Sequence, residues 1–227
     1  RFVLVFNGEV YNHGELRAEL SARGVRFHTT SDTEVLMAAI RSWGVLAALQ
    51  RVNGMFALGL WDAQEHVLAL ARDRIGEKPL FVHRRGRAIR FASELKALRA
   101  GGAPAPEIDR SALTSYLRLG YVPAPHSIHC GITKVVPGTV ELHRNGEMTT
   151  VPYWELPELG RGRAHPVGEL ERPQRLAHLV GDVAQDGVAG LVPVRVVHGL
   201  EAVEVEEDER DGDVREGGLL ADLLEAL

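Results

Sequence analysis

The chain has 227 residues, of which 45% are hydrophobic, so it can form one large or two small globular domains with a sizeable core. Its formal net charge of -5 argues against a general nucleic-acid binder, because phosphate binding draws on a basic surface. No apolar run approaches the length of a bilayer crossing and the single cysteine excludes an internal disulfide framework, so we expect a cytoplasmic protein without a membrane partner.

The chain opens with an apolar run at residues 2–6, which predicts a buried strand. Polar residues follow at the strand end, and a helix is predicted next. Asn12 can cap this helix, Glu15 stands three residues later as in a capping box, and Gly24 is expected to end it.

The next segment, residues 25–29, is predicted to return as a short strand. Ser31 and Asp32 then precede a second amphipathic helix that is expected to stop at Gly44. Further along the chain, Asp109 predicts the cap of another helix, which runs through residue 119.

Pairs of short apolar runs predict β-hairpins, and the third pair surrounds Asn145-Gly146, a strong turn signal. Many short strands with a few amphipathic helices suggest two packed sheets covered by helices. The three pairs are residues 55–62 with 66–72, 80–83 with 88–93, and 140–143 with 148–151.

Two charged clusters have a structural interpretation. Asp73 stands between two arginines and could be catalytic, but a salt-bridged network that braces the loop before Pro79 is the preferred role. Three arginines around Gly86 could form a phosphate patch, but at a hairpin tip we predict a solvated turn.

The stretch Asn7-Gly8-Glu9 combines groups that can bind a reacting carboxamide. The Asn side-chain amide and the Gly backbone N–H supply two donors for a developing oxyanion, and the Glu can hold a substrate ammonium. Asn-Gly is also an ordinary turn dipeptide, and residue types alone favour the turn.

The motifs that follow change this interpretation, because together they closely resemble the glutaminase domain of glutamine-hydrolysing asparagine synthetases over roughly the first two thirds of the chain. In order they are Asn-Gly-Glu-Val-Tyr-Asn at 7–12, Ser-Asp-Thr-Glu-Val at 31–35, Asn-Gly-Met-Phe-Ala at 53–57, Arg-Asp-Arg-Ile-Gly-Glu-Lys-Pro-Leu-Phe at 72–81, Ser-Glu-Leu-Lys-Ala-Leu at 93–98 and Pro-Gly at 137–138.

The resemblance implies an α+β fold, the four-layer αββα sandwich of N-terminal-nucleophile hydrolases, here incomplete at its N-terminus. It implies a glutamine amidotransferase in which an N-terminal cysteine attacks glutamine, with its own α-amine as the base. Asn7 and Gly8 match the oxyanion donors, and Asn7, Gly8, Glu9 and Asp32 match residues that bind glutamine. The alternative role for Asp32 is a helix N-cap.

In the longer parent enzyme that the resemblance implies, released ammonia passes to a synthetase domain that uses ATP and Mg to activate aspartate, and a homodimeric parent is compatible with it. Neither a Gly-x-x-x-x-Gly-Lys loop nor a Ser-Gly-Gly-x-Asp-Ser loop follows Trp154. We therefore expect this chain to lack the synthetase domain and to carry no cofactor.

The nucleophile is not in this sequence, because no cysteine precedes Asn7 and the chain begins at Arg1 within a strand pattern, as expected of a truncated domain. The internal Cys130 has no free α-amine, so we reject it as the nucleophile and predict a small buried residue. His126 and His129 beside it invite a zinc interpretation, but a fourth ligand is lacking and we predict no metal site.

The domain prediction is an amidotransferase domain at residues 1–155 and a tail of low diversity at 156–227. From residue 174 onward the sequence has no Ser, Thr, Asn, Ile, Lys, Met, Cys or aromatic residue. We expect either a disordered or loosely helical tail or, preferably, a shifted reading frame beginning near 163–173.

The leading functional hypothesis is the glutaminase part of an asparagine synthetase, with glutamine as its substrate and with this chain inactive alone. One alternative is a related amidotransferase whose acceptor is a sugar, a peptide or a nucleotide precursor. The other is a non-catalytic relic or binding module.

Overall fold

The computed structural model describes residues 1–101, 107–156, 195–198 and 203–206. Within these ranges no helix is both long and apolar enough to cross a membrane. The helices are α1 (His13–Ala22), α2 (Asp32–Trp43), α3 (Val45–Arg51), α4 (Leu95–Ala100) and α5 (Arg110–Leu119). The strands are β1 (Phe2–Val10), β2 (Gly54–Asp62), β3 (Val67–Arg72), β4 (Phe81–Arg85), β5 (Ala88–Ala92), β6 (Ile132–Lys134), β7 (Thr139–Arg144), β8 (Glu147–Pro152), β9 (Arg195–His198) and β10 (Val203–Glu206).

The strands form two sheets. Sheet A has the order β8-β7-β3-β2-β1-β9, and sheet B has the order β10-β5-β4-β6. Strand β1 pairs with β2 in antiparallel register along its whole length, whereas β9 runs parallel to β1 only from Val3 to Phe6. The three predicted hairpins are the antiparallel pairs β2–β3, β4–β5 and β7–β8.

Four layers follow from the alternation of side chains along the strands. On β1, Leu4 and Phe6 lie in an apolar cluster with helices α1 to α3, while Val5 faces the opposite side. Val5 packs there with residues of sheet B such as Val82 and Phe91. On the far side of sheet B, Leu98 of α4 packs against that sheet. The order is helices, sheet A, sheet B and helix, so the predicted αββα arrangement is confirmed.

Local signals placed several element ends correctly. The Ser31 hydroxyl caps α2 by accepting a hydrogen bond from the Thr33 N–H at 3.2 Å, and Gly44 ends that helix at φ 80°. Asp109 caps α5 in the same way, through the N–H groups of residues 111 and 112. At the β7–β8 turn, Asn145 and Gly146 both have positive φ, as a tight hairpin turn requires.

Two early predictions are wrong because side-chain to backbone contacts with other segments replace the expected pairing. Residues 25–29 form no strand, since the Glu34 carboxylate accepts from the backbone N–H groups of His28 and Thr29 and satisfies them without a neighbouring strand. Asn12 precedes α1 but its side chain caps nothing. Its amide instead donates to the Arg51 carbonyl and accepts from the Asn53 N–H, both at 2.9 Å.

Helix α3 has no counterpart among the sequence predictions, because Gly44 signals only the end of α2 in the sequence, whereas in the structure it also caps the start of α3. In the predicted tail, β9 and β10 are the described segments, and they add one strand to each sheet. The expectation of a disordered or frame-shifted tail otherwise concerns residues outside the described ranges.

Candidate glutamine site

Asn7 and Gly8 lie inside β1, opposite Ala57 and Phe56 of β2, so the turn interpretation is wrong. The two strands approach very closely at this point. A Cβ atom at Gly8 would overlap the Met55 carbonyl oxygen and lie 2.6 Å from Phe56 Cα. Glycine is therefore required here by the packing of neighbouring backbones.

The direction of the Gly8 N–H follows from the partners of Phe56. The Phe56 N–H donates to the Asp73 carboxylate at 3.3 Å, and its carbonyl accepts from the Asp73 N–H at 2.8 Å. Because the N–H and C=O of a strand residue point to the same side, Gly8 opposite Phe56 directs its own N–H away from β2. Gly8 lies two residues beyond Phe6, the last β1 residue in register with β9, and β1 continues to Val10.

Asp32 lies at the same edge. Its Oδ2 accepts from the Val10 N–H at 2.8 Å, and its Oδ1 accepts from the Thr33 hydroxyl at 3.3 Å. Since Ser31 supplies the cap of α2, the alternative role of Asp32 as the N-cap is wrong. Instead, the first turn of α2 brings the Asp32 carboxylate to the end of β1, one residue past Glu9.

Asn7 has the same strand parity as Val5, so its side chain faces the layer between the sheets. Its Nδ2 donates to the Ser93 hydroxyl at 3.2 Å. Ser93 follows β5 directly and is 3% exposed. This contact was missed from sequence, because Ser93 was noted only as part of a motif and no local pattern links it to a residue 86 positions away.

Glu9 is exposed, so water solvates its carboxylate. The pKa of Tyr11, two residues later, is affected by the same negative charge. Desolvation, followed by the charges of Glu77 and Glu9, raises the pKa of the Tyr11 hydroxyl. The end of β1 therefore carries the exposed carboxylate of Glu9 and, at the N–H of the next residue, the carboxylate of Asp32, and two carboxylates suit an ammonium group.

The buried carboxylate of Asp73 supports the strand behind the site. Asp73 is fully buried and accepts from five backbone N–H groups. They belong to Phe56 and to residues 75–78, at distances of 2.6 to 3.3 Å. Asp73 thus joins the loop before Pro79 to the part of β2 that faces Gly8.

The predicted bracing role of Asp73 is confirmed, but the predicted salt-bridged partners are wrong. Its neighbours donate to backbone carbonyls: Arg72 to those of Gly76, Lys78 and Val135, and Arg74 to those of Gln50 and Val52. Backbone groups in this loop have no partners in a helix or sheet. The Asp73 carboxylate therefore accepts from the N–H groups, and the arginines donate to carbonyl oxygens. Burial lowers the pKa of Arg72, and burial raises that of Tyr153, whose hydroxyl donates to the Arg72 carbonyl at 2.8 Å.

The other sequence candidates lie elsewhere. Cys130 is exposed, so its predicted burial is wrong. It occupies a turn in which Ser127 takes the buried position, with its hydroxyl bonded to the His129 backbone. Within the described residues, no group of three or more His, Cys, Asp or Glu side chains could hold a metal ion.

The basic cluster at the β4–β5 turn is divided. Arg85 and Arg87 are exposed, as predicted for a solvated tip. Arg84 instead faces the layer between the sheets, where it donates to Thr133 Oγ1 at 2.9 Å and pairs with Glu141. The prediction is wrong for Arg84 because it lies on the strand, on the same face as Val82.

Sequence comparison identifies the class of this domain as a glutamine amidotransferase domain. Residues 1–154 match the family model described as "Glutamine amidotransferase domain". This match covers more than half of the chain, and the chain therefore belongs to that family.

Its named relatives include asparagine synthetases. The chain is 40% identical over 153 residues to "Asparagine synthetase [glutamine-hydrolyzing] 1" of Bacillus subtilis (strain 168). The matched region covers 67% of this chain and 24% of that relative. It is 41% identical over 156 residues to a putative asparagine synthetase of Mycobacterium bovis, covering 66% of this chain and 24% of that protein. The chain thus spans about a quarter of the length of these relatives.

Two further comparisons are more distant. The chain is 31% identical over 153 residues to "Amidase chyE" of Penicillium rubens, covering 67% of this chain and 22% of that protein. Among solved structures, a glutamine phosphoribosylpyrophosphate amidotransferase from B. subtilis matches with a TM-score of 0.46 and 23% identity, covering 66% of this chain and 29% of the other.

Proposed function

We propose that the end of β1 binds glutamine. In this proposal, the Asn7 amide and the Gly8 N–H donate to the side-chain carbonyl oxygen of glutamine, and they stabilise the oxyanion when that carbonyl is attacked. Glu9 and Asp32 hold the α-ammonium group. The observation that supports this most strongly is the common edge of β1, to which Gly8 directs its N–H and at which Asp32 meets Val10.

Among the described residues, no cysteine lies at the proposed site. The single cysteine, Cys130, has its nitrogen in a peptide bond, and that N–H donates to the Glu107 carbonyl at 2.9 Å. It therefore has no α-amine that could act as the base. We expect purified residues 1–227 to bind glutamine weakly and to release no ammonia above background, and measurable glutaminase activity would overturn this part of the proposal.

For a longer protein of the relatives' size, we propose the reaction of a cytoplasmic asparagine synthetase, a ligase that converts glutamine, aspartate and ATP to asparagine and glutamate. ATP and Mg would act in a synthetase region outside residues 1–154, and a homodimer is the proposed assembly. The identities of 40% and 41% to proteins with that name support this acceptor.

A different acceptor is the second candidate. The 31% identity to a protein named as an amidase shows that this domain sequence also resembles proteins with another name. Complementation of an asparagine auxotroph by the full-length gene separates the two: growth supports aspartate as the acceptor, whereas failure by an expressed, soluble protein favours another one. A non-catalytic binding module remains the third hypothesis, and it predicts no growth and no ammonia release from the full-length protein.

The glutamine site is tested by NMR titration of the ¹⁵N-labelled chain with L-glutamine. We expect saturable shifts at the amides of Gly8, Glu9 and Val10. Asp32→Asn should weaken the affinity about tenfold, since it removes one charge-assisted contact with the ammonium. The matched control is Asp109→Asn, which alters an aspartate that caps α5. Equal binding by Asp32→Asn and the wild type, or no shifts at the end of β1, would contradict the proposal.

A further inference from the structure

Among the described residues, one polar contact reaches the Asn7 side chain, and it comes from the opposite sheet. Asn7 lies on β1 of sheet A, and its Nδ2 is 3.2 Å from the Ser93 hydroxyl at the end of β5 in sheet B. Ser93 is 3% exposed, so water does not readily replace this bond. Two elements that are far apart in sequence therefore meet at one carboxamide.

The position of Ser93 before α4 suggests a helix cap, but the structure gives it another role. The N-cap residue of α4 is Glu94, and no side chain caps this helix through a hydrogen bond. The Ser93 hydroxyl is thus not used to begin α4. Its described partner is the side chain that the proposed function places against the carbonyl oxygen of glutamine.

A carboxamide needs such a partner to be an effective oxyanion donor. Its terminal torsion is broad, so an unrestrained Asn7 would sample many orientations of its N–H groups. A bond from one amide hydrogen to Ser93 fixes the plane of the amide and leaves the second hydrogen to donate to a ligand. Donors that are fixed before the ligand arrives stabilise a developing charge without reorganisation.

We propose that Ser93 is a positioning residue that orients the Asn7 carboxamide toward the side-chain carbonyl of glutamine. This inference rests on the proposed function of the β1 site. It extends that function into sheet B, because the donor geometry then depends on how sheet B is placed against sheet A. Ser93 itself contacts neither the substrate nor the reacting atoms.

The first test uses the ligand-free chain and the side-chain NH₂ resonances of Asn7. In Ser93→Ala, which keeps the volume but removes the hydroxyl, we expect the two proton shifts to converge on those of a free carboxamide. Ser93→Thr retains the hydroxyl and should preserve their separation. Ser127→Ala is the matched control, because Ser127 is also buried, at 2% exposed, and bonds only to the backbone around His129.

The second test compares L-glutamine with L-norvaline, an amino acid that has no side-chain carboxamide. Ser93→Ala should weaken glutamine binding about three- to tenfold, the effect of one lost hydrogen bond, and leave norvaline binding unchanged. In an Asn7→Ala background, Ser93→Ala should add no further loss. Unchanged Asn7 resonances in Ser93→Ala overturn the positioning role, whereas a wild-type chain that binds no glutamine overturns the proposed function, so the two failures are distinguishable.

Discussion

At one end of the layer between the sheets, Asn7 and Ser93 share one hydrogen bond between neutral groups, whereas further along Glu141 pairs with Arg84 and lies 3.3 Å from His143. The cross-strand register places His143 in the row of Val3, four residues along β1 from Asn7. That spacing is about 13 Å. The two polar ends are separated by apolar packing around Phe91.

The two ends differ in role: the Glu141 end suits stabilisation of the fold, and the Asn7 end suits binding of a ligand. At the Glu141 end, opposite charges are matched inside the protein, and both Glu141 and His143 are less than a tenth exposed. Such a cluster fixes the placement of the sheets and offers little to a ligand. At the Asn7 end, the Gly8 N–H points to an edge of β1, and the bond to Ser93 uses one of the two amide hydrogens of Asn7, so each residue keeps a donor for a carbonyl oxygen.

The largest expected effect is at the Glu141 end. Glu141→Ala leaves the Arg84 guanidinium half-buried without its carboxylate and should lower the free energy of unfolding by about 2–4 kcal/mol. Glu141→Gln should cost less, because an acceptor oxygen is kept. Urea denaturation measures both changes.

The matched control for that prediction is Glu65→Ala. Glu65 pairs with Arg144 at 3.7 Å, and both side chains are more than a third exposed, so the loss should stay below about 0.5 kcal/mol. Equal losses for Glu65→Ala and Glu141→Ala would show that the buried cluster contributes no more than a surface pair.

The next effect is at Gly8. Gly8→Ala places a methyl group against the Met55 carbonyl and Phe56, so we expect a loss of about 1–3 kcal/mol and weaker glutamine binding. Gly14→Ala is the control, since a Cβ there meets nothing within 4 Å and lies in α1. It should be neutral or stabilise the protein by up to about 1 kcal/mol. Similar unfolding curves for the two variants would contradict the close approach of β1 and β2.

Features that depend on neighbouring residues could be predicted from sequence, whereas contacts between separate elements could not. Ends that depend on neighbouring residues, such as Ser31, Gly44 and Asp109, were predictable because caps and turns act within a few positions. The motif resemblance identified all four site residues as candidates. It could not reveal that Asp32 binds the Val10 N–H, nor that Ser93 binds Asn7, because those contacts depend on the packing of separate elements.

The failures have the same physical origin. The strand predicted at residues 25–29 has suitable side chains, but the Glu34 carboxylate takes its backbone donors. Arg84 was placed in solvent with its neighbours, although the strand alternation turns it toward Glu141. In each case a side chain of another element determines the environment: Glu34 of α2 for residues 28 and 29, and Glu141 of β7 for Arg84.

A smaller effect on stability is expected at the Asn7 end. Asn7→Ala removes one neutral hydrogen bond and should lower the free energy of unfolding by less than about 1.5 kcal/mol, while glutamine affinity falls about tenfold or more. Thermal unfolding and calorimetric titration measure the two quantities separately. A large loss of stability with unchanged affinity would reverse the roles assigned to the two ends.

The smallest effect is a pH dependence from His83, which lies on the opposite face of β4 from Arg84. Burial, followed by the charges of Arg90 and Arg85, lowers the pKa of its imidazole below the ordinary value of 6.5. As the pH falls through that value, the unfolded chain binds a proton that the folded chain resists, so His83 makes stability decrease toward acid and not above neutrality. The slope from one proton is at most about 1.4 kcal/mol per pH unit.

His83→Gln should reduce this slope in urea denaturation between pH 7 and about 5, whereas replacement of the exposed His66 by Asn should leave it in place. If His83→Gln and the wild type lose stability in parallel, the acid sensitivity arises from groups other than His83.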